Sequence, residues 1–366
     1  MAPRVLCAHW KYGGQNDLCH KNAQPRCEVL SSYQMNITVL GAGAWGTALA
    51  ISLAQRHQVT LWARNVQQVA DMRTSCENQR YLPDIPLPQE LGLESNFDLA
   101  LQNSEMIVLA VPISALRDTL RKIALLPAPV PVVWLCKGFE AETALLPHQV
   151  VTATLPATFP RAVLSGPSFA QEVAHGLPTA LVLASDDKEF ARQAAQTLHN
   201  SRLRIYTSND VAGVEVGGAV KNVLAIAAGI SDGMGFGYNT RAALLTRGLS
   251  EMTRLGIKLG GRAETLGGLS GVGDLILTCT GDLSRNRKVG LLLAKQHALP
   301  YILRELGHVA EGVYSVQAVH QLVRTLGVDM PICEAVYRIL YEQVEAASAV
   351  EELLSRIPDT EFPGAD

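Results

Sequence analysis

The sequence predicts an α/β layer followed by an all-helical part, and three observations carry that reading. Short apolar, β-branched runs alternate with helical stretches as far as about Ser208, the pattern of strands covered by helices. Beyond that point no convincing strand appears, only apolar residues recurring at three- and four-residue steps. Of 366 residues, 48% are hydrophobic and 18% charged, which is enough apolar surface for a real core and too little charge for disorder.

Residues 36–40 read as a first strand that ends at glycine, 47–55 as a helix and 59–62 as a second strand, so the chain opens with a βαβ unit of a parallel sheet. Further strands are expected at 106–111, 130–136, 162–164 and 179–184, with helices at 115–124 and 188–199 between them. Continuous apolar strands of this kind are buried on both faces. The second part reads as helices over 210–230, 240–259, 287–296, 315–326 and 330–340, separated by glycine- and serine-rich turns at 231–238 and 267–273. The expected organisation is an extension over 1–34, an α/β domain over 35–209, a helical domain over 210–355 and a loose tail over 356–366.

The net charge of −3 offers no support for a nucleic-acid or anionic-membrane partner. The seven cysteines are odd in number and irregular in spacing, so they do not form a disulfide framework. Cys76, Cys136, Cys279 and Cys333 read as reduced thiols, and a cytoplasmic location is expected. No stretch reads as a membrane span. The nearest, 216–230, is short and interrupted by Lys221. Residues 1–34 lack the apolar centre of a secretory signal. They read as an upstream start or a floppy extension. A metal site from Cys7, His9, Cys19, His20 and Cys27 is the sharper alternative, but it lacks the paired Cys-x-x-Cys spacing of zinc sites, and no metal is expected.

Gly41-Ala42-Gly43-Ala44-Trp45-Gly46 is a G-x-G-x-x-G between a strand and a helix, the context that gives the motif meaning. Gly41 permits the tight turn, Gly43 removes a side chain where a pyrophosphate must approach, and Gly46 lets the helix pack on the strand. The pyrophosphate then meets free N–H groups at the helix N-terminus. The motif makes the α/β part Rossmann-like and implies a dinucleotide. At the end of the second strand, Leu61-Trp62-Ala63-Arg64-Asn65 offers no acid for a ribose 2′-hydroxyl. Arg64 suits a 2′-phosphate, so NADP(H) is expected to be accepted, with NAD(H) open. The alternative is that Arg64 is a solvated surface charge.

Lys221 lies in an apolar helix just after Gly217 and Gly218. Burial lowers a lysine's pKa and makes its amine a usable general acid or base. The alternative is a lysine snorkelling to solvent, and composition alone does not separate the two. Lys137 and Ser165-Gly166-Pro167-Ser168 each follow a strand, at the sheet edge where ligands of open α/β folds bind. Ser284-Arg285-Asn286-Arg287 concentrates guanidiniums, an amide and a hydroxyl, as a phosphate clamp does, although a charged turn at a helix start looks the same. Asp274 stands in a glycine-rich turn where it can orient Lys221 or a substrate hydroxyl.

From Met35 to about Glu352 the chain resembles the bacterial NAD(P)-dependent glycerol-3-phosphate dehydrogenases. The matching segments are GAGAWGTALA, LAVP, CKGFEAET, LSGPSFAQEV, GGAVKNV, TRGLSEMTRLG, GVGDLILTCTG, SRNRKVG and VAEGV. The resemblance implies reversible hydride transfer between NAD(P)H and dihydroxyacetone phosphate, supplying glycerol 3-phosphate for phospholipid synthesis. It implies that Lys221 is the catalytic acid/base, supported by Lys137 and Asp274. It places Lys137, Gly166, Ser168, Lys221, Asn222, Asp274, Thr278, Ser284, Arg285 and Asn286 on the substrate. It places Gly41, Gly43, Ala44, Trp45, Gly46, Arg64, Lys137, Ala170, Arg285, Val309 and Glu311 on the cofactor. A homodimer is the expected assembly. Residues 1–34 have no counterpart in the family pattern. Two rivals remain: a dehydrogenase of similar plan acting on a β-hydroxy acid, and a cofactor-binding regulator without turnover.

Overall fold

The computed structural model describes residues 34–307 and 310–356. Its principal sheet contains β1 (Asn36–Leu40), β2 (Gln58–Trp62), β5 (Gly92–Glu94), β6 (Met106–Leu109), β7 (Val132–Trp134), β8 (Arg161–Ser165), β9 (Thr179–Ala184) and β10 (Leu203–Ser208). Strands β3 (Glu77–Asn78) and β4 (Leu82–Pro86) form a separate antiparallel hairpin. The sheet order is β10-β9-β8-β7-β6-β1-β2-β5. Strand β1 pairs in parallel with β2 on one side and with β6 on the other. The order therefore reverses at β1, and the crevice beyond the carboxyl ends of β1 and β6 is the place where such sheets bind ligands. The α/β layer followed by helices agrees with the fold expected from the sequence.

The opening βαβ unit is parallel as expected, but β9 pairs antiparallel with β8. The reason is the connection. The thirteen residues between them, 166–178, are at the lower limit for a crossover that would return to the start of β8, and their one helix, Ala170–Ala174, is short. The chain turns back beside β8 instead. Strands β5 and β10 are absent from the sequence reading because they are the sheet edges. β10 has the burial pattern of a half-solvated strand, with Arg204, Tyr206 and Thr207 exposed, so it lacks a continuous apolar run.

The helical part is built on the helix Val211–Gly233, which is buried over nearly its whole surface. Its start is capped by Asp210, whose carboxylate accepts from the Gly213 N–H at 2.9 Å and from the Arg262 N–H at 2.9 Å. By length and composition this helix could cross a membrane, which corrects the expectation that no stretch is long enough. Its surroundings are protein, since the helices Tyr238–Lys258, Asp274–Thr280, Arg285–Ala294 and Glu311–Leu326 pack around it. The expected turn over 267–273 contains a π-helical turn, Leu269–Gly273, that leads into Asp274. Buried Glu251 ties the outer layer together by accepting from the Ile332 and Cys333 N–H groups at 2.7 and 3.1 Å.

Two glycines set how closely the central helix meets Arg285–Ala294. A β-carbon at Gly229 would fall 2.1 Å from the Arg287 carbonyl oxygen, and one at Gly290 2.1 Å from that of Ile226. Neither backbone can retreat alone, because both helices are packed on other faces. Gly290→Ala is expected to destabilise the fold by about 1–3 kcal/mol or more through overpacking. A denaturant midpoint equal to that of the parent chain would contradict this close crossing.

Candidate active site

Three segments far apart in sequence converge beside the sheet. The turn after β7 supplies Lys137, the central helix supplies Lys221, and the helix Asp274–Thr280 supplies Asp274 and Thr278. Lys221 Nζ donates to Asp274 Oδ1 at 2.7 Å and to Thr278 Oγ1 at 2.9 Å. Lys137 Nζ donates to Asp274 Oδ2 at 2.6 Å and to the Gly166 carbonyl at 3.3 Å. One buried carboxylate, 1% exposed, thus bridges two ammonium groups. Lys221 is itself 7% exposed and bonded inward, so the snorkelling alternative does not describe it.

Charge and burial compete at this cluster. Burial lowers the Lys221 pKa to about 8, with the Lys137 charge adding to the drop and Asp274 opposing it. Burial alone would push the Asp274 carboxyl up, but the two ammoniums together hold it below the usual carboxylate range. Lys137 sits over a small residue. A β-carbon at Gly218 would lie 3.3 Å from Lys137 Cγ, so the lysine stem runs along the glycine face of the central helix. Ser168 Oγ donates to the Gly166 carbonyl at 3.2 Å, beside the Lys137 contact.

A second network adjoins the first. Asn286 Nδ2 donates to Asn222 Oδ1 at 2.9 Å, and Asn286 Oδ1 accepts from the Gly312 N–H at 3.0 Å. Asn222 Nδ2 in turn lies 3.4 Å from Glu311 Oε2. Burial raises the Glu311 pKa, opposed by the charges of Arg285, Lys137 and Lys221. The carboxylate therefore lies within the field of all three cations. The expected clamp over residues 284–287 is divided in the structure. Ser284 Oγ caps its helix by accepting from the Arg287 N–H at 3.2 Å. Arg287 is held by Asp232 at 2.8 Å and by Asp282 at 2.9 Å, so it does not belong to a clamp. Arg285 is exposed and has no hydrogen-bond or ion-pair partner among the described residues.

The glycine turn lies at the end of β1. Gly41 has φ +119°, and a β-carbon there would meet the Ala110 carbonyl oxygen at 2.6 Å. At Gly46 one would fall 2.0 Å from the Gly41 carbonyl oxygen, whereas at Gly43 it would meet nothing within 4 Å. The turn is therefore closed on the sheet side and open on the other. Ala44 and Trp45 begin the helix Ala44–Ala54, whose N-cap Gly43 offers no side chain to its first N–H groups. Arg64 is exposed just beyond β2. Ala170 opens the short helix Ala170–Ala174, which packs against the helix Ala44–Ala54. A dinucleotide fits these features: an open glycine at a helix N-terminus for its pyrophosphate, and an exposed guanidinium at the second strand.

Val309, expected on the cofactor side, lies outside the described residues, as do Cys7, His9, Cys19, His20 and Cys27 and most of the expected tail. Sequence reasoning missed Asn78 and Gln68, which hold the Ala42 carbonyl from below at 3.0 and 2.8 Å. Nothing local marks either residue, because the contact spans 36 and 26 positions of chain.

Comparison with known proteins gives a consistent result. The profile for the N-terminal part of NAD-dependent glycerol-3-phosphate dehydrogenase matches residues 36–191, and that for its C-terminal part matches 210–351. A glycerol-3-phosphate dehydrogenase (NAD(P)+) from Thiobacillus denitrificans is 60% identical over 328 residues, covering 90% of this chain and 100% of the relative. One from Nitrosomonas eutropha is 59% identical over 327 residues, covering 89% of this chain and 99% of the relative. The crystal structure of glycerol-3-phosphate dehydrogenase from Coxiella burnetii superposes with a TM-score of 0.85 at 42% identity, covering 88% of this chain and 99% of that one.

The three glycines make separable demands. Gly46→Ala is expected to destabilise the fold, because its β-carbon has no space. Gly43→Ala is expected to keep the melting temperature while raising KM for the nicotinamide cofactor roughly tenfold, since it crowds only the pyrophosphate approach. Equal melting temperatures for the two variants, or an unchanged cofactor KM in the second, would contradict the assignment.

Proposed function

The chain belongs to the NAD-dependent glycerol-3-phosphate dehydrogenase family, and from that premise we propose that it interconverts dihydroxyacetone phosphate and sn-glycerol 3-phosphate with NAD(P)H. The observation that carries the reading is the buried Lys221–Asp274–Lys137 bridge, with the unpartnered guanidinium of Arg285 in the same electrostatic field. A cofactor-binding regulator has no need of an acid/base group tuned in this way. A β-hydroxy acid dehydrogenase has no need of a phosphate-binding arginine.

The nicotinamide cofactor, when bound, supplies the hydride for reduction of the ketone or accepts it from the alcohol. Gly43, Ala44, Trp45 and Gly46 would hold its pyrophosphate, with Arg64, Ala170 and Glu311 as further contacts. Arg285 and Asn286 bind the substrate phosphate, which lends remote binding energy to the positioning of C2. As the C2 oxygen gains negative charge, the Lys221 ammonium gives it a proton, while Lys137 stabilises the charge electrostatically. In oxidation neutral Lys221 takes the hydroxyl proton. Asp274 and Thr278 hold the amine in place, Ser168 and Gly166 shape the floor, and Ser284 fixes the start of the helix carrying Arg285. Arg64 favours acceptance of NADP(H). A homodimer, a cytoplasmic location and a supply of glycerol 3-phosphate to phospholipid synthesis are assigned on the family resemblance.

The deciding assay is spectrophotometric: dihydroxyacetone phosphate with NADH and NADPH in parallel, repeated with an unphosphorylated ketone. Lys221→Ala is expected to lower kcat by about 10²–10⁴ with the fold intact. Near-normal turnover would remove Lys221 from the mechanism. With Lys221 at about 8, the amine is protonated below that pH and neutral above it. Ketone reduction should therefore fall above pH 8, and alcohol oxidation should rise through it. Asp274→Asn should move both limbs to lower pH, because the carboxylate favours the ammonium. Arg285→Ala should mainly raise KM for the phosphorylated substrate, and unchanged saturation would contradict the phosphate assignment.

A further inference from the structure

The hairpin β3–β4 has no part in the mechanism above, yet one of its residues reaches the glycine turn. Asn78 is 1% exposed. Its Nδ2 donates to the Ala42 carbonyl at 3.0 Å and to Thr47 Oγ1 at 2.7 Å. The Ala42 carbonyl also accepts from Gln68 Nε2 at 2.8 Å. A carbonyl oxygen has two acceptor sites, so these two side-chain amides fill it. The other end of the Asn78 amide is poorly served. Its Oδ1 is buried without a hydrogen-bond partner, a costly state that an apolar residue would avoid. An asparagine half-satisfied in the core is hard to explain by stability, and its one well-made end is on the turn.

The peptide linking Ala42 to Gly43 is trans, so its C=O and N–H point in opposite directions. With the carbonyl drawn toward the hairpin, the Gly43 N–H is directed away from it. That N–H has no protein partner among the described residues, and Gly43 is the glycine whose surroundings are open. Thr47 lies in the first turn of the following helix and is fully buried. The contact to its hydroxyl fixes the helix start relative to the same peptide. We propose that Asn78, assisted by Gln68, is a positioning residue that presets the glycine turn for the cofactor pyrophosphate. Asn78 touches no ligand; it holds the Ala42–Gly43 peptide in the orientation that a phosphate oxygen requires, so that no reorganisation is needed on binding. This rests on the dinucleotide assignment of the preceding subsection.

The test compares the parent chain with Asn78→Ala and Gln68→Ala, using NADPH and 2′-AMP as probes. The second probe carries the 2′-phosphate but no pyrophosphate. Affinity is read by NADPH fluorescence and by competition, alongside melting temperature and steady-state kinetics. Asn78→Ala is expected to weaken NADPH roughly tenfold while 2′-AMP changes by less than about twofold. In kinetics the loss should appear in KM for NADPH, with kcat at saturation changed by less than about threefold. Gln68→Ala, at a half-buried position, should show the same selectivity with a smaller loss, and it decides the matter if Asn78→Ala does not fold. Unchanged NADPH affinity in the folded variants would overturn the proposal. Equal weakening of both probes would also overturn it, because a merely structural defect is not selective for pyrophosphate. A parent chain that binds neither NADPH nor NADH would instead sink the cofactor assignment.

Discussion

Everything at the proposed reaction centre depends on one buried carboxylate held between two ammonium groups. Taking three ions out of water costs several kcal/mol each, and their mutual attraction recovers that only with close, well-directed contacts. The contacts here are 2.6 and 2.7 Å. The cluster still carries an excess of one positive charge, and that excess has a use. It favours any substrate atom that becomes negative nearby, while burial, assisted by the Lys137 charge and opposed by Asp274, moves Lys221 toward losing its proton. A neutral cluster would be easier to bury and would not favour that developing charge.

Such an arrangement has to be imposed by rigid elements, because flexible side chains would drift toward solvent. Lys221 is fixed by a helix buried on nearly every side, and the backbone of that helix touches its neighbours directly. A β-carbon at Gly217 would sit 2.4 Å from the Ser270 carbonyl oxygen, inside the π-helical turn that leads into Asp274. A second brace lies further up the same helix. Buried Glu215 accepts from Trp134 Nε1 at 2.7 Å and from the His148 N–H at 2.9 Å. Trp134 ends β7, and Lys137 follows three residues later, so the helix carrying one lysine is bonded to the strand leading to the other.

How much of this was legible in the sequence follows from the range of the forces involved. The interior strands could be read because burial on both faces leaves an unbroken apolar run, as in Met106–Leu109. The edge strands Gly92–Glu94 and Leu203–Ser208 could not, since half their side chains face water. The antiparallel turn at β9 depends on how long a connection is, not on any pattern inside the strand. At the site, residue type and position relative to strand ends identified Lys137, Lys221, Asp274 and the glycine turn as candidates. Lys221 could not be told from a snorkelling lysine until its inward partners were visible. Arg287 looked equivalent to Arg285 in sequence, yet Asp232, fifty-five positions away, occupies it. Long-range pairing separates the free guanidinium from the structural one, and no local pattern encodes that.

The Asn222–Asn286 bridge bears on how binding at one end of a substrate could influence the other. Asn286 follows Arg285 directly, and Asn222 follows Lys221 directly, so one hydrogen bond joins the proposed phosphate anchor to the proposed proton donor. Glu311 closes the network from a third helix, under the field of Arg285 and both lysines. A phosphate held at Arg285 would therefore sit on a residue tied, through Asn286 and Asn222, to the neighbour of the proton donor. On this argument the phosphate group positions C2 against Lys221 through two packed helices and not through flexible side chains.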